Sequence, residues 1–350
     1  MERIHINGST SYNVFIEQGI LGRMGNLLRE EIGGDRALVV TDSNVAALYL
    51  DVAVATLEDS GYDTYSAVLE PGDASKNIDN YYNILTALAD KGFSSSDVVV
   101  ALGGGMIGDL AGFAAATYKR GSKCAQVPTS LMADVDSSIG GKTAINLPSG
   151  KNQVGIIRNP SIVVIDPATL ATLSPYALQE AYAEIIKYGI LGGYTIIGQL
   201  REAVRTGDYT QVICSSLCFK RDVVELDEGD KGLRQFLNLG HLVGHAIEAF
   251  HDYSVSHGQA VAEGLAIETR CAFLAGLISI HVYTEVTALL AEFDFSIFDR
   301  YRIENLEPYL MTDKRLRDDY INIIIPRDIG DCTLYTLPTD QLIKYIRRGL

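Results

Sequence analysis

Short aliphatic runs alternate with helical patterns through the first 165 positions, and this alternation restricts the chain's first half to a layered α/β fold. Ala37-Leu-Val-Val-Thr41, Tyr65-Ser-Ala-Val-Leu69 and Val98-Val-Val-Ala-Leu102 read as buried strands. Residues 44–60 and 76–91 between them have helical periodicity, and a third helix runs from the glycines after Leu102 to about Tyr118. Ala125-Gln-Val-Pro128 and Ile162-Val-Val-Ile165 are further strands. Strands joined by helical crossovers pair mostly in parallel. After Asp166-Pro167 the helical period runs almost unbroken to about residue 310, with strands expected only at Ile321-Asn-Ile-Ile-Ile325 and near Thr333-Leu-Tyr335. Two domains are expected: an α/β unit over 1–167 with a mostly parallel sheet, and a mainly α-helical unit over 168–350.

With 350 residues and 47% hydrophobic side chains the chain is globular. A net charge of −15 argues against nucleic-acid and anionic membrane partners. It leaves room for a small anion held in a locally basic site. The five cysteines (Cys124, Cys214, Cys218, Cys271 and Cys332) are odd in number and form no Cys-x-x-Cys pair, which fits a reducing cytoplasm. Neither a signal peptide nor a membrane span is expected.

Gly103, Gly105 and Gly108 satisfy Gly-x-Gly-x-x-Gly between a strand and a helix, where backbone N–H groups can meet a phosphate. The acidic residue usual about 20 positions later is missing. Asp42, ending an earlier strand, is the candidate for a ribose hydroxyl; a glycine turn needed only for packing is the alternative. Lys76 follows the turn Pro71-Gly72-Asp73, and a solvated lysine there is the plainer reading. Asp134, Asp136, Ser137, Ser138, Gly140, Gly141 and Lys142, followed by Gly150-Lys151-Asn152, make a polar, glycine-rich segment. It reads either as a surface loop or as a ligand site.

Arg234, Asn238, His241 and His245 are spaced by 4, 3 and 4, which on one α-helix places them within an arc of roughly 60°. Burying such a stripe is costly unless it faces a ligand. Four of the six histidines (His241, His245, His251, His257) fall within 17 residues. Glu184 and Lys187 share a helix face at i, i+3: a surface ion pair, or, if Glu184 joins His241 and His257, a catalytic zinc set. A His241–His245 chelate remains an alternative. Lys142, Lys151, Lys187, Lys220 and Arg234 suit an anion with more than one charge if they converge.

These residues lie in segments whose order resembles the 3-dehydroquinate synthase family: Gly103-Gly-Gly-Met-Ile-Gly-Asp-Leu-Ala-Gly112, Tyr118-Lys-Arg-Gly121, Val127-Pro-Thr-Ser130, Val135-Asp-Ser-Ser-Ile-Gly-Gly-Lys-Thr143, Gly150-Lys-Asn152, Ala183-Glu-Ile-Ile-Lys-Tyr-Gly189, Asn238-Leu-Gly-His-Leu-Val-Gly-His-Ala-Ile-Glu248, His257-Gly258 and Asp313-Lys-Arg315. The resemblance implies an NAD-binding first domain and a metal-binding second one. It implies Glu184, His241 and His257 as ligands of zinc or cobalt. Asp42, Asn44, Asp73, Lys76, Gly104, Gly105, Asp109, Thr129, Ser130 and Thr172 match NAD positions, and Lys142 and Lys151 belong to the same expected neighbourhood. Asp136, Lys142, Lys151, Asn152, Lys187, Lys220, Arg234, Asn238, His245 and Lys314 match substrate positions. Of these, Asp136, Lys142, Asn152, Lys187 and His245 are the candidate catalytic groups. Arg120 joins them by matching an arginine that reaches a neighbouring subunit's substrate phosphate, which implies a homodimer.

The implied reaction turns 3-deoxy-D-arabino-heptulosonate 7-phosphate into 3-dehydroquinate and phosphate through NAD-cycled oxidation, elimination, reduction and aldol closure. Rival readings are the cyclases that make 2-deoxy-scyllo-inosose or 2-epi-5-epi-valiolone, and a metal-dependent polyol dehydrogenase. The chain departs from the family pattern at Asp73 (usually Glu), Ser130 (Thr), Ala181 (Gly) and Gln259 (Glu). The last would alter metal affinity if that Glu steadies a metal ligand.

Overall fold

Val98, Val100 and Leu102 face one side of their strand and Val99 and Ala101 the other, and both sides are buried. That is why this segment lacks polar alternation: a strand covered on both faces has no solvent side. The computed structural model describes residues 1–230, 232–297, 301–313, 315–316 and 319–350. They divide into two compact units, Met1–Ser174 with Gly207–Gly229, and Pro175–Thr206 with Asp230–Leu350.

In the first unit the described residues form a seven-stranded sheet. Its members are β1 (Glu2–Ile6), β2 (Tyr12–Ile16), β3 (Arg36–Asp42), β4 (Asp63–Leu69), β5 (Val98–Gly103), β6 (Lys123–Pro128) and β9 (Ile162–Ile165), in the order β1-β2-β9-β6-β5-β3-β4. Every neighbouring pair is parallel except β1 with β2. Helices Met24–Glu31 and Asp51–Asp59 supply Met24, Leu27, Leu28 and Leu57 to the core on one face. Helices Ile78–Asp90 and Gly105–Thr117 supply Ile84, Leu88, Ile107 and Leu110 on the other. The mostly parallel α/β sheet is as expected.

Two expectations change. The polar segment read as a possible loop is partly a hairpin, β7 (Lys142–Leu147) with β8 (Gly150–Ile157). Its glycines and lysines obscured the pattern, since only Thr143 and Ile145 of β7 are buried and β8 is largely exposed. The expected boundary at 167 also assigns residues 207–229 to the second domain. In the structure the helix Thr210–Leu226 packs against β1 and the turn Ala133–Ser137 of the first unit. Glu225 accepts from the N–H of Asn7 at 2.6 Å and Glu228 from that of Ser9 at 2.8 Å. A helical period cannot disclose such a return, because it reports a buried face and not the partner that buries it.

The second unit is mainly helical, with Pro175–Gly192, Tyr194–Thr206, His241–Phe250, His257–Leu274, Ile280–Glu292 and Ile303–Leu310, and a hairpin of β10 (Tyr320–Asp328) and β11 (Asp331–Pro338). Among the described residues no helix is long and apolar enough to cross a membrane.

Asp134 is a costly group to bury in the first unit. It is fully buried, and neither carboxylate oxygen has a hydrogen-bond partner among the described residues. Burial, and then the charge of Asp166, push its pKa well above the usual carboxylate value. A raised folded-state pKa means that stability is highest below the unfolded value of about 3.9 and is lost as pH rises. Asp134→Asn removes that loss. The variant is expected to raise Tm more at pH 8.5 than at pH 5.5; thermal unfolding at the two pH values checks this, and an equal shift at both contradicts a protonated Asp134.

Candidate active site and metal centre

In the first unit β5 runs directly into the helix Gly105–Thr117, with Gly104 at its N-cap. The open N–H groups and the dipole of this helix end favour an anion. A Cβ on Gly105 would stand 3.0 Å from the Ser137 hydroxyl, so a side chain there would narrow the approach to the helix end. Thr129, buried, donates its N–H to the carbonyl of Gly103 at 3.1 Å, and Ser130 follows it. Asp42 caps the next helical segment, Oδ1 accepting from the N–H groups of Asn44 and Val45 at 3.0 and 3.1 Å. Asn44 is exposed. Thr172, also exposed, shares a hydrogen bond of 2.9 Å with the Tyr49 hydroxyl.

Lys76, for which a solvated position was the plainer reading, is engaged, and other lysines of the predicted site have acidic neighbours too. Lys76 is buried, paired with Asp109, and donates to Oδ1 of Asn152 at 2.5 Å. Burial pushes Asp109 up against the pull of Lys76. Lys220 is buried too, donating to Oδ1 of Asp136 at 2.6 Å and to its carbonyl at 2.7 Å. Lys151 stands 3.5 Å from Oδ2 of Asp73, which also accepts from Asn146 at 3.0 Å. Asn152 is left-handed, with φ 54°. Lys142, which opens β7, is exposed, and so is Arg120, in a turn where it and Lys119 have φ of 65° and 48°. Two successive non-glycine residues there are strained.

In the second unit one expectation is overturned. Arg234, Asn238, His241 and His245 do not share an α-helix. Leu233–Asn238 is a 3₁₀ turn, Gly240 is left-handed at φ 78°, and the α-helix begins at His241. The new helix end is held by a distant side chain. Glu268 accepts from the N–H groups of Gly240 and Val243, both at 3.0 Å, and so caps the new helix end. Burial raises Glu268 to about 7 against these donors. Arg234 is buried, and Asn238 donates to the carbonyl of Gln235 at 3.1 Å. Lys314 lies outside the described residues.

Glu184 projects from the helix Pro175–Gly192 and is fully buried beside Lys187, also buried, with which it pairs. Nε2 of His241 lies 3.2 Å, and Nε2 of His257 3.4 Å, from Oε1 of Glu184. These nitrogens are within ion-pair reach, but none makes a well-aligned hydrogen bond to either oxygen. Burial opposes the ionised carboxylate, yet Lys187 and then His241 hold it well below the usual range. Burial lowers His241 against the pull of Glu184. It opposes the charged form of His257 as well, but Glu184 and Glu248 more than offset that and raise it to about 10. A buried carboxylate facing two imidazoles is a place for a cation. The ligand atoms of Glu184, His241 and His257 lie within 4.8 Å of one another, and two imidazoles with a carboxylate are a catalytic zinc donor set. His245 belongs to a second group, with Glu248 and His257. His245 keeps an exposed edge; desolvation of its ring, followed by the charges of His241 and Arg315, lowers its pKa from the usual histidine value.

Family models for the 3-dehydroquinate synthase N-terminal and C-terminal domains match residues 66–180 and 181–316. A 3-dehydroquinate synthase of Clostridium acetobutylicum is 36% identical over 97% of this chain and 97% of its own length. The chain belongs to the 3-dehydroquinate synthase family. Its fold is also that of a 2-epi-5-epi-valiolone synthase from Streptomyces hygroscopicus, solved with NAD+ and Zn2+ (TM-score 0.88, 23% identity, 99% of this chain and 98% of that one). A 2-deoxy-scyllo-inosose synthase complexed with carbaglucose-6-phosphate, NAD+ and Co2+ is similar too (TM-score 0.86, 22% identity, full coverage of both).

Glu248, Glu268 and Arg315 were not singled out from the sequence. Glu248 carried a signal, since it follows His241 and His245 at i+7 and i+3 on one helical face. Glu268 carried none, because its partners are backbone N–H groups 25 and 28 residues away. Gly240→Ala is expected to destabilise the chain by at least about 1 kcal/mol, since a Cβ at positive φ is strained and here meets Leu265 at 2.6 Å. A Tm drop of a few degrees in a thermal scan checks it, and an unchanged Tm contradicts the left-handed helix start.

Proposed function

We propose that this chain converts 3-deoxy-D-arabino-heptulosonate 7-phosphate into 3-dehydroquinate and phosphate, acting as a carbon–oxygen lyase with NAD and one divalent metal, zinc or cobalt. The near-full-length relationship to sequences named for that activity carries the reading, and the buried donor set supports it. When bound, NAD accepts and returns a hydride, and the metal polarises the oxygens at the carbon being oxidised.

The chain's own residues have distinct tasks in this reading. Glu184, His241 and His257 hold the metal. The helix end at Gly104 and Gly105, with Asp42, Asn44, Asp73, Lys76, Asp109, Thr129, Ser130 and Thr172, holds NAD. Lys220 and Arg234 pair with the substrate carboxylate, Arg234 bidentately. Lys142, Lys151, Asn152, His245 and Lys314, with Arg120 of a second copy, grip the phosphate. Asp136, Lys187 and Asn238 orient the ring hydroxyls. A phosphate fixed beside the C6 proton can take that proton as it leaves, so much of the rate comes from positioning. In this reading the His245 imidazole also relays protons. The role given to Arg120 makes the working form a homodimer, and the unpaired cysteines support a cytoplasmic setting.

The test is phosphate release from this substrate with catalytic NAD, before and after chelation and zinc return. Metal-dependent release without accumulating NADH is expected. Release only from glucose 6-phosphate or sedoheptulose 7-phosphate would select another cyclase reading; net NADH production would select a dehydrogenase. Lys142→Ala is expected to cut phosphate release at least 100-fold while NAD still binds, as followed by calorimetry.

A further inference from the structure

We propose that Glu248 is a positioning residue for the metal centre, fixing the ring of His257 so that its Nε2 is presented to the ion. The inference rests on reading Glu184, His241 and His257 as the ligands. Glu248 sits on the helix His241–Phe250 and is only 4% exposed. Its Oε2 lies 3.1 Å from Nδ1 of His257, while Nε2 on the opposite edge of the ring lies 3.4 Å from Oε1 of Glu184. An acceptor at Nδ1 keeps the proton on that nitrogen and leaves the Nε2 lone pair for a divalent ion. His241 is arranged alike: its Nδ1 is 3.1 Å from the carbonyl of Leu239 and its Nε2 3.2 Å from Oε1 of Glu184. Both imidazoles are therefore oriented from behind, one by a backbone carbonyl and one by a buried carboxylate.

The other candidate for this task is Gln259, two residues from His257. Its amide donates elsewhere, to Oε1 of Glu263 at 2.7 Å and to the carbonyl of Ser296 at 2.9 Å. Its difference from the usual glutamate therefore leaves the support of His257 intact. Glu248 could instead be a direct ligand, since it also groups with His245 and His257. That arrangement gives up the Nδ1 contact and leaves the fully buried carboxylate of Glu184 without a divalent partner.

The full-length protein is stripped of metal, and zinc affinity is measured by competition with a chromophoric chelator for the parent, Glu248→Gln and Glu184→Gln. Thermal unfolding of the metal-free proteins checks folding. Glu248→Gln is expected to bind one zinc 10- to 100-fold more weakly, and at saturating cobalt to keep the parent's visible absorption spectrum, because the ligands are unchanged. Affinity within twofold of the parent overturns the proposal. A changed cobalt spectrum overturns it too, by making Glu248 a ligand. If the parent binds no stoichiometric metal, or Glu184→Gln binds it as well as the parent, the underlying metal reading fails instead. Should Glu248→Gln not fold, Glu248→Asp, which draws the carboxylate back by one methylene, is judged by the same two measurements.

Discussion

The carboxylate of Glu184 lies where no solvent reaches it, and the second unit is arranged around that fact. A buried anion is tolerated only with positive charge and donors beside it. Lys187 provides that charge from the same helix, one turn along, and the imidazoles of His241 and His257, from other helices, face the same carboxylate. The chain interruption at Gly240 belongs to the same arrangement. It ends the 3₁₀ turn that holds Arg234 and starts a helix whose first residue is His241. Glu268 caps that helix end, so a second buried carboxylate, on the same helix as His257, sets where His241 stands.

The first unit solves a simpler problem. A parallel sheet needs cover on both faces, and the helices between its strands provide it. One consequence is functional. The strand β5 delivers its glycines to a helix N-terminus, whose first N–H groups have no partner within the helix itself. The cations nearby are not spare charges. Lys76 and Lys220 are buried against Asp109 and Asp136, so the acids that lower the chain's net charge also hold these lysines in place.

Much of this was legible in the sequence because burial leaves a periodic trace. The strands at 36–42, 98–103 and 162–165 stand where their aliphatic runs are, and the helix carrying Glu184 begins at Pro175. Strands β1 and β2 were not recognised, and the β7–β8 hairpin was obscured because one of its strands is exposed. The helix proposed across Arg234 to His245 failed for another reason. The spacing of 4, 3 and 4 suits a helix, but Gly240 in a left-handed conformation, open to a glycine, interrupts it, and the carboxylate of Glu268 accepts from its N–H.

By itself the sequence determined the parallel α/β unit, the helical unit, the family and the residue types of the site. Those follow from local periodicity and from motifs that persist in chain order. The tertiary structure decided which groups meet: Glu184 with two imidazoles 57 and 73 residues on, Glu248 rather than Gln259 behind His257, and the return of residues 207–229 to the first unit. The physical reason is that the cost of burying a charge, and the partner that offsets it, exist only after distant segments have packed.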